Sequence, residues 1–168
     1  FYDTSCRTPY VVRWPGQAPA GQVLEGLVES VDLPAAIMDA AGLGPDPAVH
    51  LPGSPGRSFL GYALGREAAP RSWVYAENGP QSYGGWRMCR ERDWKYVWSP
   101  EGEWFFNMVD DPWELTNLAE RPELQPRISR MRGQLVAAMQ GAVAPSRWRI
   151  GEETYDRHGR YVPNGFCD

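Results

Sequence analysis

The apolar period of this chain changes once in its second half, and that change dictates the architecture. From Ser72 to Met108, apolar and polar residues alternate in short runs separated by turn residues, as strands do. From Arg121 onward, Leu124, Ile128, Met131, Leu135, Ala138 and Met139 recur at three- and four-residue steps, the pattern of one helix with an apolar stripe. Between the two lies Trp104 to Glu120, WFFNMVDDPWELTNLAE. Asp110, Asp111 and Pro112 predict a turn, because aspartates accept main-chain hydrogen bonds and proline fixes its own φ while lacking a donor. Trp113 and Leu115 are expected to be apolar anchors, and Asn117-Leu118 to close a short helical turn. The carboxylates read as turn-makers without chemistry of their own.

The strand-like region divides into four runs. Ser72–Glu77 ends at Asn78-Gly79-Pro80, and Trp86–Arg90 follows a loop containing Tyr83-Gly84-Gly85. Trp94–Trp98 and Glu103–Met108 complete an antiparallel meander. Alternation puts Trp94, Tyr96 and Trp98 on one face and Lys95 and Val97 on the other. The aromatic face reads as core, with a sugar platform as the second reading. The amphipathic helix is expected to lay its stripe on the sheet. Arg127, Arg130 and Arg132 ride the edges of that stripe as a solvated face.

The first half is less regular. Tyr10–Trp14 is β-branched and aromatic and reads as a buried strand stopped by Pro15-Gly16. Arg7, just ahead of it, is expected to pair with Asp3 or another acid. Val23–Val31 is compatible with strand or helix. Asp32 is expected to cap a helix opened by Leu33-Pro34 and stopped by Gly42. Gly44–Arg57 is a Gly- and Pro-rich loop whose His50 reads as solvent-facing or as a substrate contact. Arg66–Arg71 marks a boundary, giving segments 1–66, 67–143 and an extended tail at 144–168. The tail scatters Trp148, Ile150, Tyr155, Tyr161 and Phe166 without a period, and these predict packing on the body, on a missing part or on a second subunit.

Composition removes several classes of function. With 168 residues, 42% apolar and 23% charged, the chain can build a core, and its net charge of −4 gives no footprint for nucleic acid. No apolar run approaches the roughly 20 residues of a membrane-spanning helix. Cys6, Cys89 and Cys167 are far apart, form no metal-binding spacing and read as free thiols.

Four segments carry a resemblance. FYDTSCRTPYVVRWPG (1–16) resembles the segment that closely follows the active-site lysine of type I sulfatases, members of the alkaline phosphatase superfamily. The run from Leu27 to Leu43, the order VYAE…RMCRERDWKYV (74–97), and Trp104–Ala119 with its DPWELTNLA are similar to the family in sequence and spacing. Pro34-Ala35-Ala36 departs from the family's usual Pro-Thr, which touches a helix-start contact and not the chemistry. The fold so implied is α/β with an α+β subdomain: the end of a large sulfatase-type sheet domain, then a small four-stranded antiparallel sheet packed by a C-terminal helix. The chemistry so implied is sulfate-ester hydrolysis through a formylglycine nucleophile and a divalent cation, usually calcium. No C/S-x-P-x-R and no Asp-His-Gly occurs here; Cys6-Arg7-Thr8-Pro9 has the wrong order, and Asp156-Arg157-His158-Gly159 only echoes the second. The resemblance therefore places nucleophile, metal ligands and lysine in an N-terminal part upstream of Phe1, with no catalytic residue and no metal ligand in this chain. It brings the loop from Asn78 to Gly85 to the active-site mouth, with Asn78, Gln81 and Tyr83 as substrate contacts. Two other readings stay open: a phosphonate monoester or phosphodiester hydrolase of the same superfamily, and a non-catalytic glycan-binding module.

Overall fold

The computed structural model describes residues 1–46, 49, 52–78, 85–141, 147–150, 153–156 and 161–162. The elements are α1 (Asp3–Cys6), α2 (Asp32–Ala40), α3 (Leu60–Ala63), β1 (Trp73–Glu77), β2 (Arg87–Glu91), β3 (Trp94–Ser99), β4 (Gly102–Asn107), α4 (Gln125–Gly141), β5 (Arg147–Ile150), β6 (Glu153–Asp156) and β7 (Tyr161–Val162). Two compact units result. One is Thr8–Val74; the other joins Phe1–Arg7 to Tyr75–Asp168.

In the Thr8–Val74 unit, Ala36 of α2 packs with Phe59 and Ala63, and Leu24 and Val28 close over them. Tyr10 sets its ring 6.1 Å from Phe59, and the Tyr62 hydroxyl accepts the Gly26 N–H at 2.6 Å. A Cβ on Gly26 would stand 2.5 Å from that hydroxyl, so only glycine fits. Helix α2 ends in a Schellman motif: Leu43 N–H reaches Met38 O, Gly42 N–H reaches Asp39 O, and Gly42 takes φ +80. Gly42 is thus the stop its sequence predicts.

Two expectations fail here. Asp32 is not the cap: Val31 takes that position, and Asp32 is the first helical residue. Its carboxylate turns away from the helix to accept the N–H groups of Glu29 (2.8 Å) and Arg57 (2.7 Å) and the Arg71 guanidinium (2.8 and 2.5 Å). Tyr10–Trp14 is not a buried strand either. It carries no strand pairing, and Val11 is 91% exposed. A strand needs a ladder partner, and the pairing found among the described residues of this unit's loops is a single bridge, Leu27 to Arg71.

The second unit follows its sequence closely. The sheet order is β1-β2-β3-β4, a simple meander. Register sets Cys89 opposite Tyr96 and Tyr96 opposite Phe105, so these three fully buried residues share one face. Helix α4 covers that face with Ile128, Met131 and Leu135, all buried, each worth about 1.5–3 kcal/mol of burial. The centre of the aromatic row, Tyr96, is therefore core, while Trp94 and Trp98 at its ends are half-buried. Trp94 stacks on Phe105 at 5.0 Å and takes the Arg127 guanidinium at 4.8 Å, while Arg87 lies over Trp98. Burial pushes the Tyr96 phenol up to about 12, against the hydrogen bond it receives from Arg132. Arg130 and Arg132 pair with Glu91 and Glu103, so their charge is directed at the sheet.

The stretch without a period also forms structure. β5, β6 and β7 make a three-stranded antiparallel sheet, with Trp148 opposite Tyr155 and Tyr155 opposite Tyr161. Strands of four, four and two residues are too short to display a period. Among the described residues no helix is long and apolar enough to cross a membrane.

Candidate functional site

The second face of the sheet holds the chemistry that the sequence left unread. Lys95 is the second residue of β3, on the face opposite Tyr96, and it is fully buried. An ammonium without water must place all three protons on acceptors. Lys95 Nζ donates to the main-chain carbonyl of Phe1 (2.9 Å), to Asp3 Oδ1 (2.6 Å) and to Glu114 Oε1 (2.5 Å). Glu114 Oε2 accepts the main-chain N–H of Asp3 at 2.6 Å, and the Asp3 carboxylate also accepts from Arg90. Two cations and two anions close the set. Phe106, on the same face, meets the Tyr2 ring at 6.2 Å, so residues Phe1–Asp3 lie against this face by ring and by charge.

The Asp-Asp-Pro turn aims Glu114. Asp111 N–H bonds Asn107 O, and its carboxylate accepts the N–H groups of Leu115 (3.1 Å) and Thr116 (2.8 Å). Those bonds hold the Asp111 carboxyl below the usual carboxylate range. They wrap the chain so tightly that Glu114 takes φ +58, the one positive φ among the described non-glycine residues. For an L-residue this costs on the order of 1–2 kcal/mol. The turn-maker reading of Asp111 thus holds, but the turn's product is an inward carboxylate. Trp113 and Leu115 correct the expectation of apolar anchors: they are 74% and 82% exposed, because inverting the chain at Glu114 sends its neighbours outward. Asn117-Leu118 closes no helical turn. Leu118 N–H bonds Phe105 O at 2.8 Å, and the Asn117 side chain accepts Phe105 N–H and donates to Glu103 O, so this stretch covers the open edge of β4.

Burial raises the Asp3 carboxyl, but the hydrogen bonds and charge of Lys95 and Arg90 outweigh it and keep it below the usual range. Cys6, half-buried nearby in sequence, is a free thiol pushed up by burial, opposite to what a nucleophile needs. Arg7 is exposed and pairs with no acid among the described residues; Lys95 and Arg90 hold Asp3 instead.

Asn78 is exposed at the end of β1, where its N–H bonds Trp86 O at 2.9 Å and closes the β1–β2 connection. Gln81, Tyr83 and His50 lie outside the described residues. Lys95, Glu114 and Arg90 are what sequence reasoning missed. The available signal was a lysine flanked on both sides by buried aromatic positions of a predicted strand.

Residues 1–141 match the family model of the N-sulphoglucosamine sulphohydrolase C-terminal region. The chain belongs to this family. It is 31% identical to choline-sulfatase of Rhizobium meliloti (strain 1021), over 97% of this chain and 33% of that protein. It is 26% identical to arylsulfatase of Clostridium perfringens (strain 13 / Type A), over 83% of this chain and 29% of that protein. The chain thus spans about a third of the length of the curated relatives it matches. A solved phosphonate monoester hydrolase from Silicibacter pomeroyi superposes on it with a TM-score of 0.62 at 20% identity, over 86% of this chain and 31% of that one. At that identity the likeness shows the fold alone, here a four-stranded antiparallel sheet with a C-terminal helix.

Proposed function

We propose that this chain is the C-terminal part of a sulfatase that hydrolyses sulfate esters, with the nucleophile and cation supplied by an N-terminal part. The match to the family model over residues 1–141 carries this reading. Tyr10–Trp14 supports it: in this reading the β-branched segment, unpaired among the described residues, would find its ladder in a sheet of the N-terminal part. In this reading a formylglycine would supply the attacking oxygen and a divalent cation would polarise the sulfate, both held by the N-terminal part. The described residues do not fit the cation, since they include no group of three His, Cys, Asp or Glu side chains able to hold one. Asp3 and Glu114, the two acids of the Lys95 cluster, are already neutralised by Lys95 and Arg90. The resemblance also puts a catalytic lysine shortly upstream of Phe1.

Substrate choice in this reading falls to the loop from Asn78 to Gly85, with Asn78, Gln81 and Tyr83 as contacts. In the full-length enzyme, Tyr83→Ala should raise KM for the preferred ester and leave metal content unchanged; unaltered kinetics would remove the loop from the site. The reading as a whole is tested by turnover of 4-nitrophenyl sulfate and choline sulfate against a phenyl phosphonate monoester. Faster sulfate turnover is expected. A preference for the phosphonate would favour the second reading, for which the Silicibacter pomeroyi fold is the supporting observation.

A further inference from the structure

We infer that Lys95 and Glu114 are positioning residues, which fix the main chain at Phe1 and thereby aim the residues that precede it. This rests on the reading above, in which a catalytic lysine lies shortly upstream of Phe1.

Two of the contacts go to main chain. Lys95 Nζ holds the Phe1 carbonyl at 2.9 Å, and Glu114 Oε2 holds the Asp3 N–H at 2.6 Å. Main-chain anchors two residues apart set both the path and the direction of the backbone, which a side-chain salt bridge does not. Tyr2, between them, is set against Phe106, and the Asp3 carboxylate is shared by Lys95 and Arg90. Three consecutive residues are therefore fixed from one sheet face.

The arrangement is also a poor choice for stability alone. Well-packed apolar residues often match or exceed a buried ion cluster. Here Glu114 is in addition held in the left-handed region, a strain that persists where geometry is the purpose. The Asp111 turn exists to produce that geometry, because its carboxylate bonds both residues that follow Glu114. A displacement of about 1 Å at a reacting group can cost on the order of 100-fold in rate. Loosening Phe1–Asp3 should therefore act on turnover and not on substrate binding.

The test is a double-mutant cycle in the full-length enzyme, between Glu114→Gln and substitution of the upstream lysine by Ala. A glutamine cannot keep both bonds in place, because one of the two oxygens that now accept from Lys95 and from the Asp3 N–H becomes an NH2 donor. The expected result is a fall in kcat of about 10- to 100-fold for Glu114→Gln, with KM within about twofold, and no further fall when the lysine is already absent. Full additivity would overturn the inference and leave the sulfatase reading standing. An unchanged kcat for the lysine variant alone would overturn both. Should Glu114→Gln fail to fold, Asp3→Asn enters the same cycle, since it keeps the main-chain bond and weakens only the carboxylate's share.

Discussion

Among the described residues each compact unit holds a buried ion cluster, and the two use their charge differently. In the Thr8–Val74 unit the centre is an anion. Asp32, fully buried, collects two main-chain N–H groups and both arms of Arg71, which also reaches Pro55 O and Glu29. All these partners lie within that unit, so the knot ties its loops to the start of α2. In the other unit the centre is a cation, and its partners are far off in sequence: Phe1 and Asp3 are 94 and 92 residues from Lys95. One cluster closes a local loop system. The other fastens a distant segment to a finished sheet, and among the described residues only there does a non-glycine residue take a positive φ. Two buried ion clusters can therefore serve folding in one place and aim in another.

The largest expected effect is shared by both. Arg71→Met strands Asp32, and Lys95→Met strands Glu114 and leaves Asp3 to Arg90 alone; each should lose about 3–5 kcal/mol of unfolding free energy, read from urea midpoints. A loss below about 1 kcal/mol at either site would mean that its cluster is solvated and not buried.

The next effect is acid sensitivity. Asp32 is raised by burial, but hydrogen bonds from Arg71 and from the Glu29 and Arg57 amides bring it below its ordinary value; Asp3 is lowered by Lys95 and Arg90. A carboxylate depressed in the folded state contributes stability that is complete above its unfolded value of about 3.9 and is lost as pH falls through the folded value. Urea midpoints should thus hold from pH 7 to about 5 and then drop below about 4. The Arg71→Met variant should show a shallower drop, since it has already lost one of the two contributions.

The smallest effect is Asp111→Ala. It releases the turn behind Glu114 without touching Lys95, and it should destabilise mildly while lowering kcat in the same direction as Glu114→Gln. An unchanged kcat would separate the turn from the aim.

The sheet and its helix were readable because each is a repeated pattern. Trp94, Tyr96 and Trp98 share a face by alternation, and Ile128, Met131 and Leu135 share one by helical steps. Periodicity says which side chains share a face and is silent on what covers it. Alternation therefore puts Lys95 with Val97 on the second face without telling that Phe1–Asp3 cover it. Glu114 was hidden for another reason. A left-handed turn is announced by glycine or asparagine, and here a glutamate is forced into it by the Asp111 carboxylate. Trp113 and Leu115 were misjudged by the same blind spot. Asp32 shows that an acid ahead of Leu-Pro signals a helix start without saying which N–H groups it will accept. Tyr10–Trp14 has strand chemistry, but no local pattern supplies its ladder.

The difference between the clusters comes down to one comparison: kcat per folded molecule in Arg71→Met and Glu114→Gln, measured in the full-length enzyme under conditions where both are more than nine-tenths folded. The account predicts wild-type turnover for Arg71→Met and a loss of about 10- to 100-fold for Glu114→Gln. Equal turnover in the two variants, whatever their stabilities, would contradict it.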